Sequence, residues 1–287
     1  MALDYDKLMA CRAKDVPVAW TDRDTLLYAL GVGFGQEPVN EGELAYVCER
    51  GALRTVPTFS TVLRTDGFAG YLDQSGWDFS RVLHGEQRLA LHRPLPPAGE
   101  LLLDSRVTAA YDKGEDRGAV ILTETEGRLA RDDTALFTLG NTLFARGDGG
   151  FGGTRGSGPA PHPEPGREPD LACELVTRPE QALVYRLNGD RNPLHADPAA
   201  AARAGFDRPI LHGLCTYGFA CHAVLKTVCE YDHTLITGFD ARFSAPVFPG
   251  ERIVTEMWQD GNVVAFRCRV PERDATVVSN GRCTLSL

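Results

Sequence analysis

The chain has 287 residues, of which 43% are hydrophobic and 24% charged, a composition typical of one large globular core or two ordinary domains. Its formal net charge of −9 argues against sequence-independent nucleic-acid binding, which requires a basic surface. No stretch approaches the roughly 20 apolar residues of a membrane-spanning helix. Neither terminus carries a targeting signal, so we expect a cytoplasmic protein that does not bind a membrane.

The first half of the chain predicts helical segments followed by a group of strands. A proline-rich turn at 93–100 ends in Gly-Glu and leads into the apolar run Leu101–Leu103. Two further runs rich in β-branched and aromatic residues, Ala119–Thr125 and Thr134–Phe144, have the composition of strands.

A segment crowded with glycine, proline and charge separates the two halves. Residues 149–169 cannot form a helix or strand because proline and glycine interrupt both. We therefore predict an N-terminal domain at 1–150, a linker at 151–172 and a C-terminal domain at 173–287. Gly147–Gly152 formally matches the dinucleotide-binding pattern G-x-G-x-x-G, but that site needs a helix directly afterwards, which this segment cannot supply.

The second half repeats the organisation of the first. Apolar residues recur at three- and four-residue steps over His212–Tyr231, which predicts a buried helix. A second proline-rich turn then delivers Gly-Glu into Ile253–Thr255, and strand-like runs follow at Val263–Val270 and Ala275–Leu285. The repeat predicts an α+β chain with two hotdog units, each a long helix wrapped by an antiparallel sheet.

The eight cysteines indicate neither a disulfide framework nor a metal site. None belongs to a C-x-x-C pair, and the histidines and cysteines lack metal-ligand spacing. Three of them, Cys215, Cys221 and Cys229, lie in the apolar predicted helical region. We therefore expect the cysteines to be buried, reduced thiols. We expect no bound metal.

The segment from Asp190 to His195 carries the clearest chemical signal. It places a carboxylate, the Asn192 amide and an imidazole around Pro193, which prevents a continuous helix. In such a loop the three side chains can converge on one point. A purely structural interpretation is an Asx turn at Asp190, and Asp197 has the position of an N-cap for a short helix that follows.

The start of the long helix adds a fourth group to this candidate site. Gly213 lies at its N-terminus, where N–H groups lack partners within the helix and the dipole is positive. A backbone N–H at this position can stabilise negative charge that develops on a substrate oxygen. We therefore predict that the Gly213 N–H acts as an oxyanion donor.

These motifs resemble those of the (3R)-specific enoyl-CoA hydratase 2 family, which includes the MaoC-like dehydratases and the hydratase part of peroxisomal multifunctional enzymes. The resemblance rests on Y-R-L-x-G-D-x-N-P-L-H-x-D-P at 185–198 and A-G-F-x-x-P-I-L-H-G-L-C-T at 204–216. It implies a double hotdog that hydrates (2E)-enoyl-CoA to the (3R)-3-hydroxyacyl-CoA in fatty acyl-CoA metabolism. It also implies no metal or redox cofactor, an acyl-CoA substrate and a homodimer.

By this resemblance Asp190 and His195 form the catalytic pair, with Asn192 and Gly213 beside them. The expected substrate-binding residues are His84, Gly85, Lys113, Arg191, Pro193, Leu194 and Phe243. Arg191 departs from the family pattern, in which a bulkier apolar or aromatic residue is common. The first half lacks D-x-N-P-x-H, so we predict one active site per chain and an N-terminal half that accommodates the acyl chain.

Several alternatives remain open from the sequence. His84 is either a core histidine with a satisfied partner or a ligand contact, and Lys113 is either solvated or a phosphate contact. Either Asp190 or His195 can activate water. The alternative functions are a hotdog acyl-CoA thioesterase and a non-catalytic acyl-CoA-binding subunit, although neither requires the intact loop.

Overall fold

The computed structural model describes residues 3–64, Leu72 and 81–286. The helices with described bounds are α1 (Tyr5–Ala10), α2 (Asp22–Gly31), α3 (Glu41–Val47), α4 (Gln181–Tyr185), α5 (Pro198–Arg203) and α6 (Gly213–Thr227). The strands are β1 (Arg12–Trp20), β2 (Val82–Leu91), β3 (Gly99–Asp112), β4 (Ala119–Leu129), β5 (Ala135–Ala145), β6 (Leu171–Val176), β7 (Ile236–Phe243), β8 (Arg252–Asp260), β9 (Val263–Val270) and β10 (Ala275–Leu285). No helix in these ranges is long and apolar enough to cross a bilayer.

The chain folds into two compact units that interleave along the sequence. The first unit comprises Met1–Ala19, Leu63–His92 and Glu100–Pro161, and the second comprises Trp20–Val62, Arg93–Gly99 and His162–Leu287. Helices α2 and α3 thus belong with the C-terminal half. The physical reason is close packing on α6, where a Cβ built on Gly218 would lie 2.3 Å from a Val32 methyl and one built on Gly33 would lie 2.6 Å from the Phe219 ring.

The first unit is built on an antiparallel sheet in the order β1-β3-β4-β5-β2. Along β3 the side chains of Leu101, Leu103 and Val107 are buried while their neighbours are more exposed, which is the two-residue period of a strand with one face in a core. Helix α1 buries Leu8 in the same core as Val107 and Ile121.

The glycine-rich segment after β5 is held by one carboxylate of this unit. Asp112 accepts hydrogen bonds from the N–H groups of Gly114 at 2.8 Å, Gly150 at 2.8 Å and Gly152 at 2.7 Å. These bonds, that of Gly150 foremost, lower the pKa of Asp112. Residues 149–169 contain no helix or strand, as predicted, and the segment that matches G-x-G-x-x-G is a loop whose N–H groups bind the Asp112 carboxylate.

The second unit surrounds α6 with a sheet in the order β7-β10-β9-β8-β6. Every residue from Cys215 to Leu225 is buried, so the helix is central to the unit. The predicted α+β class is confirmed, and β9 and β10 have the predicted bounds. The helix was expected to continue to Tyr231, which is wrong. It ends at Thr227 because Glu230 and Tyr231 have φ of 48° and 62° and turn the chain away.

The cysteines are free, and Cys215, Cys221 and Cys229 are all buried, as expected. The Cys215 Sγ donates to the Gly31 carbonyl oxygen at 3.3 Å, which ties α6 to the end of α2. Burial raises the pKa of the Cys215 thiol well above its ordinary value. This thiol therefore serves packing and is a poor nucleophile.

Candidate active site

The loop before His195 is formed by a series of short turns. Helix α4 continues as a 3₁₀ turn over Arg186–Asn188, and Gly189 then adopts φ of 111°, which a glycine adopts without strain. The Asp190 carboxylate accepts from the Asn192 N–H at 3.2 Å, so the Asx turn is present. The turn leaves the Asp190 side chain half-buried and able to take part in chemistry.

His195 ends a second 3₁₀ turn, Pro193–His195, and is buried at 9% exposure. Its Nδ1 lies 2.9 Å from the carbonyl oxygen of Ile210. A carbonyl oxygen only accepts, so Nδ1 carries the proton and Nε2 of the neutral ring has the lone pair. Burial lowers the pKa of His195, against the opposing effects of the Ile210 hydrogen bond and the Asp190 charge. The ring is therefore suited to accept a proton at Nε2.

His212 also lies in the site, although the sequence motifs do not indicate it as a site residue. Its ring stacks on that of His195, with centroids 3.7 Å apart and planes 27° apart. Its Nε2 lies 3.1 Å from the Asp190 backbone carbonyl oxygen. The sequence signal for His212 is its position directly before Gly213, in the segment 204–216 that resembles the family. From the sequence alone, that position indicates only the start of a helix.

The remaining loop residues have mixed environments. The Asn192 side chain is exposed, and its Oδ1 accepts from the Leu194 N–H at 3.0 Å, which caps the 3₁₀ turn. Arg191 and Pro193 are exposed, whereas Leu194 is half-buried. Asp197 caps α5 through the Ala199 N–H at 2.8 Å, as predicted.

Gly213 is the first residue of α6, so its N–H has no acceptor within the helix. The residue is exposed, and a Cβ built on it would lie 3.4 Å from the Phe243 ring, which is ordinary contact. Phe243 therefore lies directly against the predicted oxyanion donor.

Three predicted binding residues belong to the first unit. His84 and Gly85 lie in β2, where the His84 Nε2 is 3.1 Å from the Glu86 carbonyl oxygen. Lys113 follows β3 and donates from Nζ to the Gly156 carbonyl oxygen at 2.9 Å. Both side chains are half-buried and have backbone partners, so their assignment to a ligand remains a prediction.

The geometry of the cluster favours proton transfer over metal binding. Asp190, His195 and His212 each offer a potential ligand atom, and these atoms lie within 4.8 Å of one another. However, the lone pairs of an imidazole lie in its ring plane, and the two stacked rings have planes only 27° apart, whereas a metal ion needs a position in both planes at once. His195 and His212 also use one ring nitrogen each to hold a backbone carbonyl.

Another buried histidine lies farther along α6. The His222 Nε2 is 3.5 Å from Glu43 Oε1, and its Nδ1 is 3.3 Å from the Val32 carbonyl oxygen. Glu43 Oε2 accepts from the Gly35 N–H at 2.8 Å. Burial acts to raise the pKa of Glu43, but hydrogen bonds, that from His222 foremost, outweigh it and lower the pKa. This pair is sealed from solvent and ties α3 to α6.

Comparison with known proteins gives matches over nearly the whole chain. Two family models match: the MFE-2 hydratase 2 N-terminal domain over residues 19–147 and the MaoC like domain over residues 161–281. The chain is 41% identical over 286 residues to the enoyl-CoA hydratase ChsH3 of Mycobacterium tuberculosis, covering 98% of each chain. It is 38% identical over 291 residues to the peroxisomal enoyl-CoA hydratase 2 of Arabidopsis thaliana, covering 96% of this chain and 93% of that one.

A solved structure also matches from end to end. The MaoC-like dehydratase of Phytophthora capsici superposes with a TM-score of 0.87 at 34% identity, covering 99% of each chain. Solved chains of the same fold include one described as a double hotdog. The double hotdog fold that the resemblance implied is therefore confirmed.

Proposed function

The chain belongs to the MaoC-like dehydratase family that includes enoyl-CoA hydratase 2, and we propose that it adds water reversibly to a trans-2-enoyl-CoA to give the (3R)-3-hydroxyacyl-CoA. The single observation that carries the proposal is the joint placement of Asp190 and His195. A half-buried carboxylate lies beside an imidazole whose Nε2 is unprotonated. The start of α6 at Gly213 follows soon afterwards in the sequence. An acid, a base and an oxyanion donor are the three groups that this addition needs.

In the proposed mechanism His195 Nε2 removes a proton from water as the oxygen attacks C3 of the enoyl thioester. The Nδ1–H bond to Ile210 supports this role because it fixes the tautomer and the ring orientation. The electron pair of the C2–C3 double bond moves towards the thioester oxygen, where the Gly213 N–H stabilises the developing charge. Asp190 takes up the proton from the imidazolium and delivers it to C2, so that both groups return to their starting states.

Asn192 and Phe243 support the reaction in different ways. The Asn192 Oδ1 holds the turn that carries His195, so we propose that the amide acts at least by fixing this turn and that its NH₂ orients the water. Phe243 packs at Gly213 and borders the position of the thioester. We propose that His84, Gly85, Lys113, Arg191, Pro193 and Leu194 contact other parts of the acyl-CoA.

The proposal is tested by mixing the purified protein with trans-2-enoyl-CoAs of several chain lengths. The expected result is loss of the conjugated-thioester absorbance and a product that a (3S)-specific dehydrogenase does not oxidise. A product that this dehydrogenase oxidises would contradict the stereochemistry. Release of free CoA thiol would indicate a thioesterase, and binding without any conversion would indicate a non-catalytic subunit.

We further propose that the protein is a cytoplasmic homodimer that uses no metal or redox cofactor. Light scattering on the purified protein should give about twice the chain mass of 31.2 kDa, and a monomer mass would contradict the dimer. Activity should survive dialysis against a chelator. A fluorescent fusion tests the location, because the Arabidopsis relative is described as peroxisomal.

A further inference from the structure

We propose that His212 is the positioning residue that locks the catalytic carboxylate and the catalytic imidazole to the start of α6. This inference rests on the proposed hydratase function. It concerns a residue that touches both members of the pair and is joined covalently to the oxyanion donor.

The first contact is with Asp190. The His212 Nε2 lies 3.1 Å from the Asp190 carbonyl oxygen, which only accepts, so His212 donates this hydrogen bond. The bond restrains the backbone of the residue whose carboxyl group transfers the proton. Gly189, at φ of 111°, precedes Asp190 and gives the loop no side chain with which to anchor itself.

The second contact is with His195. The two rings stack at 3.7 Å, and His212 is 1% exposed, so it closes one face of the catalytic imidazole. The His212 ring also packs against Tyr185, whose centroid lies 4.9 Å away. His212 therefore has little freedom to change its rotamer, and His195 is held by a stack as well as by its Nδ1 hydrogen bond.

The backbone of His212 is fixed by the helix that it precedes. Its carbonyl oxygen accepts from the N–H groups of Cys215 at 3.0 Å and Thr216 at 3.2 Å. On its other side, the Leu211 N–H donates to the Val247 carbonyl oxygen at 2.7 Å. Four successive residues therefore have separate roles. The Ile210 carbonyl binds His195, and the Leu211 N–H anchors the segment to Val247. The His212 ring binds the Asp190 carbonyl, and Gly213 provides the N–H of the proposed oxyanion donor.

Because His212 is buried and its Nε2 is occupied by the Asp190 carbonyl, it acts through the pair and does not itself exchange protons with substrate. Misplacement of reacting groups by about 1 Å costs on the order of 100-fold in rate. Loss of the His212 contacts should therefore reduce kcat and leave KM nearly unchanged, since substrate binding does not depend on it.

The test uses two substitutions that separate the two contacts. His212→Phe retains an aromatic ring for the stack but has no donor, whereas His212→Gln places an N–H near the former Nε2 but has no ring. We expect His212→Phe to lower kcat about 10- to 100-fold with KM within about threefold of wild type. His212→Gln should recover at least several-fold of that loss because it restores the donor.

His233→Gln is the matched control, since it removes a half-buried histidine from the same unit, and it should leave kcat within about twofold. Circular dichroism and thermal unfolding verify that each variant is folded. An active His212→Phe, a loss confined to KM, or a His212→Gln variant no better than His212→Phe would overturn the proposal. Wild-type protein that hydrates no enoyl-CoA, measured in parallel, would instead contradict the proposed function.

Discussion

Helix α6 is associated with two histidine–carboxylate clusters that differ in access. At its start, Asp190 is half-buried and His195 is 9% exposed. In its middle, the His222 and Glu43 side chains are 0% and 1% exposed, and both are tied to backbone groups of the α2–α3 segment. Both clusters pair a histidine with a carboxylate, so the difference lies in whether a substrate can reach them.

A second difference is the backbone that holds each carboxylate. Asp190 lies in a loop of short turns, and its carboxylate accepts from the Asn192 N–H. The Glu43 carboxylate accepts from Gly35 and Glu37 and faces His222, so its oxygens are engaged within the protein. The Glu43 carboxylate thus binds backbone N–H groups of the α2–α3 segment and contributes to structure, whereas Asp190 lies in the loop that carries the proposed catalytic pair.

The largest expected effect breaks the first cluster. His195→Gln and Asp190→Asn should each reduce kcat/KM for enoyl-CoA hydration at least about 100-fold, because each removes an acid–base group. Both proteins should remain folded. Asp190 is only half-buried, and in His195→Gln the glutamine amide or solvent can donate to the Ile210 carbonyl oxygen in place of the imidazole. Steady-state kinetics and circular dichroism provide the measurement, and near-normal turnover in either variant would falsify the assignment of the pair.

The next largest effect should come from the second cluster and appear in stability. Glu43→Gln leaves a single carbonyl oxygen where two carboxylate oxygens were engaged, so we expect a loss of about 1–3 kcal/mol in unfolding free energy. Because the pKa of Glu43 is lowered in the folded state, this contribution is complete above the ordinary value of 4.5. It should disappear as the pH falls through the lower folded pKa.

Urea unfolding at neutral and acidic pH measures this difference, with Glu37→Gln as the matched control. Glu37 pairs with Lys226 on the surface, so its loss should cost less than about 1 kcal/mol. Per folded molecule, kcat of Glu43→Gln should stay within about threefold of wild type. A large loss of kcat without loss of stability would mean that the two clusters do not divide function and structure in this way.

The smallest expected effect is on the pH profile. His195 acts as a neutral base, and burial lowers its pKa from the ordinary value of 6.5. The acid limb of kcat/KM should therefore have its midpoint below pH 6.5, with activity falling as the pH decreases through it. The test is the pH dependence of kcat/KM from about pH 5 to 8. A midpoint above 6.5 would mean that a group other than His195 limits the rate.

Much of the local organisation could be predicted from residue patterns. The strands β9 and β10, the break at 149–169 and the Asp197 cap all depend on neighbours in sequence, and they occur as predicted. The start of α6 was also close, because its apolar spacing is local. Its end was misplaced because the left-handed turn at Tyr231 is held by long-range bonds to its carbonyl oxygen from Tyr46 at 2.7 Å and Arg54 at 2.8 Å.

The sequence by itself determined the α+β class, the family resemblance and the proximity of Asp190 to His195, because those signals lie within one short loop. Only the tertiary structure decided that α2 and α3 pack with the C-terminal half and that His212 stacks on His195. It also decided that His222 meets Glu43, 179 positions earlier in the chain (222 − 43). Such contacts join residues far apart in sequence, and side-chain packing in the folded core, which no local pattern encodes, brings them together.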